Sequence, residues 1–180
     1  MDKSEDKQKV LDMFINEGFL PVNSDSIEPD LHLSIQDVES YLTARKEYIA
    51  SLKEKLTLSR SSMARVDLGY MRSGNRGIYH CEYKGVVVQF YGSPNMSNDA
   101  YLNNDAIDVY VTGPSWPFST SSTEIKHQVV WTSGYNHVFV QVFDKVTIEI
   151  EGFTVYQNAK LMDLVFVLDI PGGRATVKEE

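Results

Sequence analysis

The chain has 180 residues, 42% of them apolar, and a single cysteine. This excludes a disulfide-stapled or disordered chain and allows a core that buries roughly 70% of the unfolded surface. A formal net charge of -8 argues against a dedicated nucleic-acid binder.

The first helix is expected over residues 5–17, with Ser4 as its cap and Val10, Leu11, Phe14 and Ile15 as one apolar stripe. Gly18 is placed to end it in a left-handed cap, and Pro21 prevents continuation. Residues 21–33 read as a linker. A longer helix follows from a Ser34 cap to about Leu58. Its Ile35, Val38, Leu42, Arg45, Ile49, Leu52 and Leu56 form a heptad seam with one charged intruder. That seam is either an oligomerisation helix or a face that packs within its own domain. Residues 59–76 read as a mobile basic connector. From Ile78 the period becomes two. Residues 78–83 and 86–91 flank Lys84-Gly85, which predicts a β-hairpin with a tight glycine turn.

Residues 92–104 read as a loop and residues 107–112 as a strand. Pro114 and Pro117 take the chain out of the sheet. A short helix is expected over residues 124–131, with strand as the alternative for residues 128–131. Ser133-Gly134-Tyr135-Asn136 is a turn. Strands are then expected over residues 137–143, 146–150, 153–156 and 161–170. Asp144-Lys145, Glu151-Gly152 and Asn158-Ala159 punctuate them. The fold class is therefore α+β: two N-terminal helices, then a mostly antiparallel sheet of six to eight strands with one short helix. The divisions are residues 1–33 (helix and linker), 34–76 (long helix and basic connector), 77–173 (β-rich core) and 174–180 (polar tail). No apolar run approaches the ~18 residues of a membrane span, and the N-terminus lacks the apolar centre of a secretory signal. An intracellular, cytoplasmic protein is expected, neither secreted nor membrane-spanning.

The charge is uneven. Residues 1–44 carry 3 basic and 10 acidic side chains, residues 45–84 carry 9 and 4, and residues 85–180 carry 5 and 11. The basic middle is either a solvated face or a contact with phosphate, lipid headgroup or an acidic partner. Arg45, Lys46, Lys53, Lys55, Arg60 and Arg65 are the candidates on it. Trp116-Pro117-Phe118 is either a plug for a sheet end or an exposed anchor.

Catalytic patterns are thin. His80 and Cys81 are consecutive in a strand, point to opposite faces and cannot form a dyad, so Cys81 reads as core. His127 and His137 flank a turn without a third ligand, and His32 sits in the linker without a recognisable partner. No Gly-x-Ser-x-Gly elbow and no phosphate loop is present. Glu149 and Glu151 alternate with Ile148 and Ile150 as on the wet face of a strand. No catalytic residue, metal site or cofactor is expected, and the chain reads as a non-enzyme.

The run from Asp108 through Val-Tyr-Val-Thr-Gly-Pro-Ser-Trp-Pro-Phe-Ser-Thr-Ser-Ser-Thr-Glu to Ile125 resembles a segment of rhabdovirus matrix proteins. There a strand runs into a loop with Pro-Phe, then a Thr, then a short helix opened by Ser and an acidic residue. The matching positions are Pro117, Phe118, Thr120, Ser122 and Glu124. Residues 145–150 resemble the late strand of the same proteins, and the length suits the smaller matrix proteins of plant rhabdoviruses. The chain departs from the pattern in its acidic N-terminal region and in lacking a Pro-Pro-x-Tyr motif. The resemblance implies a structural, virion-assembly protein that self-associates, contacts a nucleocapsid and lies against an anionic membrane, with no small-molecule substrate. The rival is a small acidic inhibitor of the immunity type that masks a basic partner.

Overall fold

Helix α1 (Lys3–Asn16) shows how local sequence sets a boundary. Gly18 takes a left-handed conformation at φ +89°, open to a residue without Cβ. The Gly18 N–H donates to the Ile15 carbonyl and the Phe19 N–H to the Phe14 carbonyl, the paired bonds of a Schellman cap. The hydrophobic contact that accompanies such a cap is also made. The rings of Phe14 and Phe19 meet edge to face at 5.1 Å.

The computed structural model describes residues 3–23, 27–56, 63–112 and 122–179. After α1 come strands β1 (Leu20–Val22) and β2 (Leu31–Leu33), a 3-10 turn (Ile35–Asp37) and helix α2 (Val38–Leu56). Strands β3 (Met63–Asp67), β4 (Gly69–Ser73), β5 (Arg76–Tyr83), β6 (Val86–Tyr91) and β7 (Ile107–Val111) follow. The chain then forms β8 (Thr123–Thr132), β9 (Tyr135–Ile150), β10 (Phe153–Asp169) and β11 (Arg174–Glu179). The class is α+β with two N-terminal α-helices, as expected. Among the described residues, eleven strands in two sheets replace the single sheet of six to eight.

The chain divides into two compact units, residues 1–55 with 143–161, and residues 56–142 with 162–180. Strands β9 and β10 contribute residues to both. In the first unit β2 runs parallel to β9, Leu31 opposite Ile148 and Leu33 opposite Ile150. β1 lies antiparallel to β10, Leu20 opposite Tyr156. Pro21 fits there because β1 pairs on one side only. The core of this unit holds Val10, Phe14, Phe19, Val38, Leu42, Ile148, Ile150 and Val155, all buried. Ile15 falls outside the stripe assigned to it and is exposed. The segment read as a linker supplies both short strands. His32, opposite Glu149, places its Nδ1 2.8 Å from that carboxylate. The Ser34 hydroxyl donates to the Asp37 carboxylate and caps no backbone N–H.

In the second unit β4, β5, β6 and β7 form an antiparallel sheet in that order. The expected hairpin is present: Tyr83 faces Val86 across Lys84 and Gly85, both at positive φ. Cys81 lies opposite Val88, both buried. β10 pairs with β11, and β11 with β3. Residues 174–179 are therefore a strand and not a tail, with Ala175 and Val177 buried. The connector assigned to residues 59–76 contains β3 and β4.

The helix expected over residues 124–131 is instead strand β8. Ile125, His127 and Val129 turn inward while Lys126, Gln128 and Val130 are exposed, a period of two carried by β-branched residues. Where the matrix resemblance implies a short helix opened by Ser122 and Glu124, Ser122 lies in a turn and Glu124 in β8. The loop before β7 is riveted by two asparagines. Asn136, wholly buried, accepts from the Leu102 N–H and donates to the Ala100 carbonyl. Asn98 bonds the Asp169 carboxylate and the Ile170 N–H, and its carbonyl accepts from the Trp131 indole.

Candidate functional site

Two of the expected strand breaks are not breaks. β9 runs unbroken through Asp144-Lys145 and β10 through Asn158-Ala159, whereas Glu151-Gly152 does turn, at φ +35° and +107°. Along β9 the buried positions are Asn136, Val138, Val140, Val142 and then Asp144. The acid keeps the phase of the valines and so points inward. A buried carboxylate requires a partner. It comes from α2, 99 residues earlier in the chain.

That partner is Arg45, the charged intruder of the heptad seam. Its Nη1 donates to Asp144 Oδ2 at 2.9 Å and its Nη2 to the Asp144 carbonyl at 3.1 Å. Its Nε donates to Gln157 Oε1 at 2.6 Å, and Gln157 Nε2 donates to the Glu17 carbonyl at the end of α1. The guanidinium also sits 6.0 Å from the Phe19 ring centroid. Arg45 thus ties α2, β9, β10 and the α1 cap together within the first unit. Burial pushes the nearby Tyr41 hydroxyl above its usual range, with Arg45 pulling it the other way. Of the rest of the seam, Val38, Leu42, Leu52 and Leu56 are buried and Ile35 and Ile49 are half-buried. The seam therefore packs within its own chain and is not open to a coiled-coil partner.

Beside this network lies a cleft of about 390 Å³ within the first unit. Buried Phe19 and Leu42 form its floor, with Ile49, Ala50 and Ala159 on its sides. Exposed Lys46, Lys53 and Lys160 line its mouth, against one carboxylate, Glu17. Lys46 and Lys53 are seven residues apart, two helical turns, and so share a face of α2. Arg45 contributes to the wall, but Asp144 already balances its charge.

The structure thus separates the sequence-predicted basic residues. Arg45 is interior, a correction to its place among exposed partner-binding residues. Lys46 and Lys53 line the cleft. Arg65 lies exposed on β3 in the second unit, paired opposite Thr176. Arg60, Trp116, Pro117 and Phe118 lie outside the described residues, as does the side chain of Lys55. Lys160, Gln157, Asp144 and Phe19 were not among the candidates. For Asp144 the signal was available as unbroken alternation from Val138. For Lys160 it was hidden by the reading of Asn158-Ala159 as a turn, although the Tyr156 hydroxyl donates to Asn158 within one continuous strand.

Elsewhere the chemistry is muted. Cys81 is buried, and desolvation pushes its thiol up to about 12. His127 contacts the Asn104 carbonyl and His137 the Tyr135 carbonyl. Among the described residues no group of three or more His, Cys, Asp or Glu side chains is gathered to hold a metal ion. No helix among them is long and apolar enough to cross a membrane. No protein-family profile, curated protein or solved structure matches the chain.

Proposed function

We propose that this is a non-enzymatic assembly protein of the matrix type, which lies against an anionic surface, contacts a nucleocapsid and associates with copies of itself. The observation that supports this reading is the lysine-lined mouth of the first unit. Three lysines and one carboxylate line this cleft in a chain whose overall charge is -8. Each basic residue held near an anionic leaflet contributes about 1 kcal/mol, so three give roughly a hundredfold in affinity. The contribution fades as salt shortens the screening length to about 10 Å at 0.1 M. Self-association cannot use the α2 seam. Met71, Ile78 and Tyr91 are aligned across three strands of the four-stranded sheet, and Met71 and Tyr91 are more than half exposed. That row supports contact between copies.

Flotation with phosphatidylserine-containing vesicles at low salt tests the surface contact. Binding is expected for the wild type and not for the Lys46→Glu/Lys53→Glu/Lys160→Glu variant, and should vanish for both at high salt. A folded wild type that stays off the vesicles at low salt, and off ribonucleoprotein, defeats the reading. A second reading, an acidic inhibitor of a basic partner, draws on Glu39 and Glu47, which flank Ser40 and Thr43 on another face of α2. Such a protein would keep its partner after the same charge reversal and would remain monomeric in light scattering.

A further inference from the structure

On β5, Arg76, Ile78, His80 and Glu82 share one side, because successive strand residues point to opposite faces. The buried Tyr79 and Cys81 take the other side. The strand register sets Met71 and Tyr91 beside Ile78, and Gly69 and Gln89 beside His80. Asp108 of β7 lies next to Gln89. The outer face of the four-stranded sheet therefore has an apolar end at Met71, Ile78 and Tyr91.

The charges of this face are sorted along the strand direction. Arg76 stands at the apolar end, its guanidinium 5.1 Å from the Tyr91 ring centroid. Glu82 and Asp108 stand toward the other end, both exposed, and neither is in an ion pair among the described residues. A strand rises about 3.3 Å per residue, so Arg76 and Glu82 are about 20 Å apart. Between them the face is low. The His80 ring lies against Gly69, where a Cβ would come within 3.0 Å of it.

Such a face is complementary to itself when a second copy is turned end for end. Two-fold rotation about an axis across the strands stacks β5 on β5 in opposite directions. Arg76 of each copy then meets Glu82 of the other, and the Met71, Ile78 and Tyr91 row covers the His80 row. With the strands parallel, the two Arg76 would share one end and the two Glu82 the other, like beside like. We propose that the outer face of this sheet is a two-fold interface with a second copy of the chain, the facing strands antiparallel and Arg76 paired with Glu82 across it. The face is roughly 20 Å on a side, short of the about 800 Å² per partner of a standard interface, so the dimer is weak and concentration-dependent. The proposal rests on the self-association in the assembly reading and names its surface and orientation.

Sedimentation velocity of the full chain over a range of concentrations tests it. The wild type should pass from monomer to dimer. Arg76→Glu and Glu82→Arg, at exposed positions, should each weaken dimerisation by roughly tenfold or more with an unchanged circular dichroism spectrum. An equimolar mixture of the two variants should recover the dimer, because both pairs across the interface are again of opposite sign. Met71→Glu should weaken the wild-type dimer as well, and if that variant does not fold, the charge exchange decides alone. A dimer indifferent to both charge reversals, or one that mixing does not recover, overturns this interface and leaves the assembly reading standing. A chain that is monomeric at every concentration overturns both. A dimer that mixing recovers, in a chain that stays off anionic vesicles, supports this interface and defeats the surface contact.

Discussion

Arg45 and Lys46 are adjacent in the chain, yet one belongs to the interior of the first unit and the other to its surface. The interior region is a closed polar network in which Arg45 answers Asp144, Gln157 and, through Gln157, the end of α1. The rim sets Lys46, Lys53 and Lys160 with Glu17 around a cleft lined by Phe19, Leu42, Ile49, Ala50 and Ala159. One residue of helix turns the side chain by about 100°, and that rotation separates a charge that holds the fold from one that lies exposed beside the cleft. A basic stretch read as a unit conceals two roles with opposite energetics. An interior charge is costly to unpair, and a rim charge is nearly free to change.

The largest expected effect comes from breaking the interior pair. Asp144→Ala should cost about 3–5 kcal/mol, because it leaves the Arg45 guanidinium buried without its counter-charge. Arg45→Met/Asp144→Leu should cost less, about 1–2 kcal/mol, since both charge-desolvation penalties vanish together and only the Gln157 amide oxygen and the residue-144 carbonyl lose their donors. Urea unfolding of the two variants reads the contrast directly, and equal losses would mean that the pair itself supplies net stability.

A neutral polar rivet should fall lower on the same scale. Asn136→Ala strands the Leu102 N–H and the Ala100 carbonyl, and a loss of about 1–3 kcal/mol is expected by the same assay. A loss as large as that of Asp144→Ala would erase the distinction between charged and neutral interiors.

Cys81 gives the comparison a pH axis. Its thiol ionises near 12 in the folded chain against an ordinary value of 9.0, because burial opposes the thiolate. Between these values the unfolded chain releases the proton and the folded chain keeps it. This contribution to stability is therefore complete below about pH 9 and declines as pH rises toward 12. Unfolding experiments from pH 8 to 10 should show the wild type losing about 1 kcal/mol more than Cys81→Ala. Parallel profiles would place the thiol in contact with water.

The turns were legible in the sequence because each needs a left-handed backbone that glycine supplies. Lys84-Gly85, Ser133-Gly134 and Glu151-Gly152 all carry positive φ at both residues. The lengths of β9 and β10 were not legible. Asp144 and Asn158 look like breakers until a distant arginine or a neighbouring tyrosine satisfies them. The strand over residues 123–132 was not legible either, because the Ser and Thr residues before it suit a helix cap as well as a turn, and the period-two pattern of Ile125, His127 and Val129 is short. The cleft was out of reach for a related reason. Phe19, Lys46 and Lys160 come from three separate segments, and only the pairing of α2 with the β9–β10 hairpin brings them together.

The smallest effect belongs to the rim. Lys46→Glu should change stability by no more than about 0.5 kcal/mol, as exposed charges usually do. A loss above 1 kcal/mol would show Lys46 to be part of the fold.

The division between interior and rim is tested most directly by one paired measurement, anionic-vesicle affinity and urea stability on the same two variants. Lys46→Glu is predicted to keep wild-type stability and lose affinity, and Arg45→Met/Asp144→Leu to keep affinity with a modest loss of stability. Vesicle affinity that survives Lys46→Glu but falls in the folded Arg45→Met/Asp144→Leu chain would assign the binding charge to Arg45 and contradict the account.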